Sequence, residues 1–148
     1  MTFTRLRAPF REIAYRGKQL ILRVSMASEL NVLAHRLNRF SERNRHYRDF
    51  TLNSLIQAMR EIIACFPVYR TYVNDREREV SERDRVFIGQ AVREAKRRNL
   101  NRPGAVYDFV RDLLLKKADY IPETERAEHM DFVARFQQVT SPVTAKGI

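Results

Sequence analysis

The chain of 148 residues carries 28 Lys and Arg against 18 Asp and Glu, a formal net charge of +10, with a single cysteine, Cys65. A chain of this length makes about one domain and buries roughly 70% of the surface its unfolded form exposes; the lone thiol excludes an internal disulfide, and no apolar run approaches the roughly 18 residues of a membrane span. The composition predicts a protein of the reducing cytoplasm without a membrane span; its excess charge suits nucleic acid, membrane phosphates or acidic protein outside this chain, charge alone does not choose among them, and the reading below predicts no membrane partner.

Four glycines and five prolines, with apolar residues recurring every three or four positions, predict an all-α domain of about six helices in an irregular bundle. A first helix is predicted from about Phe10 to Val24, with Ile13, Ala14, Leu20, Ile21 and Val24 facing inward. A second opens near Ser25, carries Ala27, Leu30, Leu33, Ala34, Leu37 and Phe40 on one stripe, and frays near Arg43. Asp49 or Thr51 caps a third, which buries Leu52, Leu55, Ile56, Met59, Ile62, Ile63 and Phe66 and ends at Pro67.

The stretch "SERD", residues 81 to 84, reads as a capping box with aspartate in place of glutamate and opens a fourth helix with Phe87, Ile88, Ala91, Val92 and Ala95 inward. A fifth follows Pro103 and Gly104, burying Val106, Phe109, Val110, Leu113 and Leu114. The last starts at Pro122, runs through Met130, Val133 and Phe136, and is expected to be over by Pro142.

Catalytic and ligand motifs are scarce. His35, His46 and His129 lie far apart and none pairs with another His or Cys at helical spacing, so no metal site is expected. Cys65 sits in an apolar run without a nearby histidine, and the isolated glycines form no phosphate cradle, so no cofactor is expected either. Most carboxylates stand beside arginines, as in "DREREVSERDR", which is the pattern of a solvated, ion-paired face. Glu29, close to an apolar stripe, reads as an early-helix charge or a structural acceptor.

The stretch after the third helix is different: "CFPVYRTYV" places Tyr69, Arg70 and Tyr72 within four residues. Such residues can roof a helix end, but an arginine fork between aromatic faces also suits a sugar or a carboxylate.

The blocks "MASELNVLAHRLNRFSERNRHYRDFTLNSLIQAMREIIACFPVYRTYV" (26 to 73), "DRVFIGQAVREAKRRN" (84 to 99), "YDFVRDLLL" (107 to 115) and "FVARFQQVTSPVTAKGI" (132 to 148) resemble, in order and spacing, the maltooligosyltrehalose synthase family. The resemblance implies a segment of a longer (β/α)8-barrel enzyme of the α-amylase clan, which turns the reducing-end α-1,4 linkage of a maltooligosaccharide into an α,α-1,1 linkage. In that clan an Asp nucleophile and a Glu acid/base precede the matched region and a second Asp follows it, so no catalytic residue is expected here. The parent mechanism is a retaining one, with two carboxyl groups about 5 to 5.5 Å apart.

The resemblance makes this chain a helical insertion that walls the substrate site, its partners being the maltooligosaccharide and the catalytic barrel of the same polypeptide, and the stretch itself an excised segment or a remnant gene. It implies that Arg70, Lys146, Tyr72, Gln138, Tyr69 and Gln137 approach sugar, the amides and the ammonium through hydrogen bonds to hydroxyls. Two positions depart from the family pattern: Ser141 and Thr144 stand where it has Gly and Met. A rival reading is a small nucleic-acid-binding protein whose phosphate track is Arg36, Arg39, Arg43, Arg45 and Arg48. The lack of a helix-turn-helix and of aromatic platforms among those arginines weighs against it.

Overall fold

A computed structural model describes residues 3–45, 47, 49–68, 70–77 and 79–147, with side chains from Arg11 to Lys146. The described residues form six α-helices and no strand: α1 (Phe3–Val24), α2 (Ala27–Ser41), α3 (Leu52–Ala64), α4 (Glu82–Arg98), α5 (Ala105–Leu114) and α6 (Arg126–Gly147), the last preceded by one 3₁₀ turn, Glu123–Glu125. None of the described helices is long and apolar enough to cross a membrane.

The apolar helix α3 takes the centre and packs against all five others. Its Leu55, Met59, Ile62 and Ile63 are fully buried, and its start is fixed as the sequence predicts, the Thr51 hydroxyl accepting from the Ser54 amide at 3.1 Å. The same chemistry opens α4, where Ser81 Oγ accepts from the Asp84 amide at 3.2 Å. The inner stripe of α5 is buried as expected, from Val106 to Leu114. Glu29 is an exposed charge in the first turn of α2.

Helix α1 turns three of the five residues of its expected inner face outward, while Ile21 packs against the core and Ala14 is half-buried. Ile13, Leu20 and Val24 are 67%, 61% and 71% exposed, while Leu22 and Lys18 are buried beneath them. Polar anchors decide that rotation. Lys18 Nζ donates to the Phe66 carbonyl at 2.9 Å, just past the end of α3, where carbonyls lack helical partners and cations are favoured. Tyr15 Oη donates to Glu61 Oε1 at 2.6 Å, and Gln19 Nε2 donates to the other oxygen of the same carboxylate. Asn99 of the α4 C-cap donates to Glu61 as well, at 2.8 Å. Rotating α1 to bury Leu20 would gain about 1.5 to 3 kcal/mol, but it would strip donors from a buried carboxylate, at about 1.5 to 3 kcal/mol for each bond to a charged group.

Helix α6 also departs from expectation by running through Pro142 to Gly147. Proline removes the amide that would bond to the Gln138 carbonyl. Gln138 is itself exposed, and buried Val139 and Val143 hold the last turns to the core.

Candidate functional site

Cys65 caps the end of α3, Pro67 prevents its continuation, and the chain then crosses the bundle as an extended strap from Arg70 to Asn74. The strap alternates like a strand although no sheet receives it: Thr71 and Val73 are 2% and 7% exposed, whereas Tyr72 between them is 59% exposed. The buried Gln137 of α6 takes the place of a neighbouring strand. Its Oε1 accepts from Thr71 Oγ1 at 2.8 Å and from the Val73 amide at 2.7 Å, and its Nε2 donates to the Val73 carbonyl at 2.9 Å. On the other side the Tyr72 amide donates to Asp84 Oδ2 at 2.9 Å. Backbone polar groups of a crossing segment need such partners.

Locked from beneath, the strap presents Arg70 and Tyr72 together. The Arg70 guanidinium carbon lies 4.5 Å from the Tyr72 ring centre, and Arg70 Nε donates to the Thr71 carbonyl at 2.9 Å. Arg83 of α4 approaches the same ring at 5.8 Å and the Phe87 ring at 4.9 Å, at distances where cation–π attraction operates. Beside the ring a hollow of about 250 Å³ is lined by Tyr72, Asn74, Glu77, Ser81, Arg83 and Lys116, among others. Lys116 closes it: its Nζ donates to the Asn74 carbonyl and, at 2.7 Å, to that of Glu77. Burial, with Arg126 adding to it, pushes the Lys116 ammonium below its usual range.

The expected sugar residues therefore fall into three groups. Arg70 and Tyr72 share one surface. Gln137 is buried, its amide engaged by the strap, so it supports the surface from below rather than lining it. Gln138 faces solvent on α6, and Lys146 is exposed in its last turn, nine positions beyond Gln137, about 14 Å along the axis. Among the described residues no hydrogen bond joins Lys146 to Arg70 or Tyr72. Tyr69 lies outside the described residues.

Residues that sequence reasoning left aside complete the site. Asp84 belongs to the capping stretch "SERD", and its buried carboxylate also holds the strap, while Arg83 beside it reaches the aromatic ring. Thr144 is 4% exposed, its hydroxyl bonding nothing among the described residues. It borders a cleft of about 510 Å³ between α1 and α4 that also reaches Lys18 and Cys65. Burial pushes the Cys65 thiol up to about 12, so it stays protonated at neutral pH.

The rival phosphate track is largely neutralised from within the chain. Arg36 pairs with Asp131 at 2.6 Å, Arg43 with Glu125 at 2.7 Å and Arg39 with Glu128 at 3.8 Å, so three of its arginines face carboxylates of α6 or of the turn before it. Arg45 is exposed and Arg48 lies outside the described residues. Compared with protein-family models, curated proteins and solved structures, the chain matches none.

Proposed function

We propose that the chain is a helical, non-catalytic segment of a maltooligosyltrehalose synthase, and that its strap walls the sugar site of that enzyme. The observation that carries this reading is a joint between two separate blocks of the resemblance. "CFPVYRTYV" supplies Thr71 and Val73 of the strap and "RFQQV" supplies Gln137, 64 to 66 residues away, and the two meet in three buried hydrogen bonds. Shared sequence of that kind serves to hold Tyr72 and Arg70 outward in fixed relation.

In this role Tyr72 offers the ring face that Arg70 does not cover to the apolar face of a glucose unit, and Arg70, its guanidinium carbon 4.5 Å from the ring centre, donates to hydroxyls at the edge of the sugar. The hollow beside Tyr72 has room for one sugar ring. The parent reaction must retain a freshly released glucose and turn it before reattachment, so a rigid wall raises the fraction of productive orientations without supplying acid or base.

The test is a chimera in which residues 1–148 replace the matching segment of a maltooligosyltrehalose synthase. It is expected to form the non-reducing product. Tyr72→Ala and Arg70→Ala are each expected to lower kcat/KM about 10- to 30-fold, that is, by about 1.4 to 2 kcal/mol. Product from the 148-residue chain alone, an inactive chimera, or full activity in both variants would overturn the reading.

A further inference from the structure

The strap leaves unexplained the other unusual surface of the molecule, the outer side of α1. Ile13, Leu20 and Val24 are spaced by seven and four residues, so they share one face over about 16 Å of helix, and each is more than 60% exposed. Isolated exposed apolar residues are normal; an aligned row on one helix marks an interaction surface. Arg16 and Arg23, seven positions apart, follow one edge of the row, roughly 60 to 80° round the helix. Neither they nor Arg60 of α3 has a carboxylate partner among the described residues.

At its C-terminal end the row meets a notch of about 460 Å³ lined by Arg23, Arg60, Ser28 and Asn31, with the first turn of α2 forming one wall. Three features of the notch favour a negative group. The N-cap of α2, Met26, places no side chain on the free amides of the first turn, which carry partial positive charge. Arg60 Nε is buried and bonds nothing among the described residues. Burial and then the neighbouring Arg23 push the Arg60 guanidinium below its usual range, as two cations sharing one cleft must.

Resting on the reading above, we infer that the outer face of α1 and the Arg23/Arg60 notch dock on protein outside this chain that offers an apolar groove ending in a carboxylate. Charge decides among the occupants. A second copy would bring the unpaired arginines of α1 against their own equivalents, whereas a groove with an acidic edge matches both the row and its border. In a maltooligosyltrehalose synthase that surface belongs to the remainder of the polypeptide.

The experiment compares the same substitutions in two settings, the 148-residue chain and the active chimera. Leu20→Asp alters an exposed side chain and is expected to leave the melting of the isolated chain unchanged, whereas Arg23→Glu, which replaces the Arg23/Arg60 repulsion by an opposite-charge pair, is expected not to lower it. In the chimera each is expected to speed thermal inactivation at least about tenfold. Val86→Asp, exposed on α4, is the control and is expected to be silent in both. A chimera that is active and indifferent to Leu20→Asp and Arg23→Glu overturns this inference and leaves the reading of the strap standing. A chimera that is inactive with the unaltered segment overturns both. Self-association of the isolated chain, or its binding to phosphatidylserine vesicles, overturns the assignment to a protein groove if Leu20→Asp abolishes it.

Discussion

The seam between α2 and α6 and the outer side of α1 draw on the same residue types and treat them in opposite ways. Along the seam, Arg36, Arg39 and Arg43 meet Asp131, Glu128 and Glu125, and the apolar residues between the helices are buried. Along α1, Arg16 and Arg23 meet no carboxylate among the described residues, and Ile13, Leu20 and Val24 face outward. The difference teaches that a basic charge excess is not one property. On one side it is balanced within the chain; on the other it is available to something else.

The comparison breaks most readily where the closed side is held by buried polar bonds. Gln137→Leu leaves the Val73 amide and carbonyl and the Thr71 hydroxyl without their partner, and is expected to cost about 2 to 4 kcal/mol in urea unfolding of the isolated chain. A cost below about 1 kcal/mol would mean that the strap is not held by this joint.

Acid is the next lever on the closed side. His129 of α6 is buried against the Phe40 ring and bonds the Leu113 carbonyl at 2.8 Å. Burial lowers its affinity for a proton, with Lys116 and Arg126 adding to the effect. Because the folded pKa lies below the unfolded value of about 6.5, the unfolded chain takes up the proton first, and the stability due to neutral His129 is lost as pH falls below about 6.5. A pH series of melting temperatures from 7.5 to 5 is expected to fall for the parent chain and to flatten in this range for His129→Leu.

The smallest effect sharpens the contrast. Arg43→Gln is expected to cost under about 1 kcal/mol, less in high salt, because the Arg43 side of the pair is half exposed. Its salt dependence separates it from the structurally silent Leu20→Asp.

Much of this architecture was legible in the sequence, for identifiable reasons. Helix number, the Thr51 and Ser81 caps and the buried stripes of α3 and α5 follow from spacing and hydroxyl chemistry, which act locally. The rotation of α1 was not legible, because periodicity locates an apolar stripe without saying which face has a partner. Here Lys18 and Glu61, separated by 43 positions in the chain, outvote it through hydrogen bonds. Helix α6 passes Pro142 with Val139 and Val143 buried on either side of it, a tertiary hold that local sequence does not show. Within the site, Arg70 and Tyr72 stood out as an aromatic and guanidinium cluster. The supporting role of Gln137 did not, since a buried amide and an exposed one look alike until the strap is laid across it.

Hydroxyl-radical footprinting of side chains, comparing the isolated chain with the chimera before and after addition of maltopentaose, tests the contrast between the two faces most directly. The account predicts that Ile13, Leu20 and Val24 lose reactivity on passing from the isolated chain to the chimera, that Tyr72 loses it when the oligosaccharide is added, and that exposed Val86 on α4 changes in neither step. Undiminished labelling of Leu20 in the chimera and of Tyr72 with sugar present, with protection appearing at Val86 instead, would contradict it.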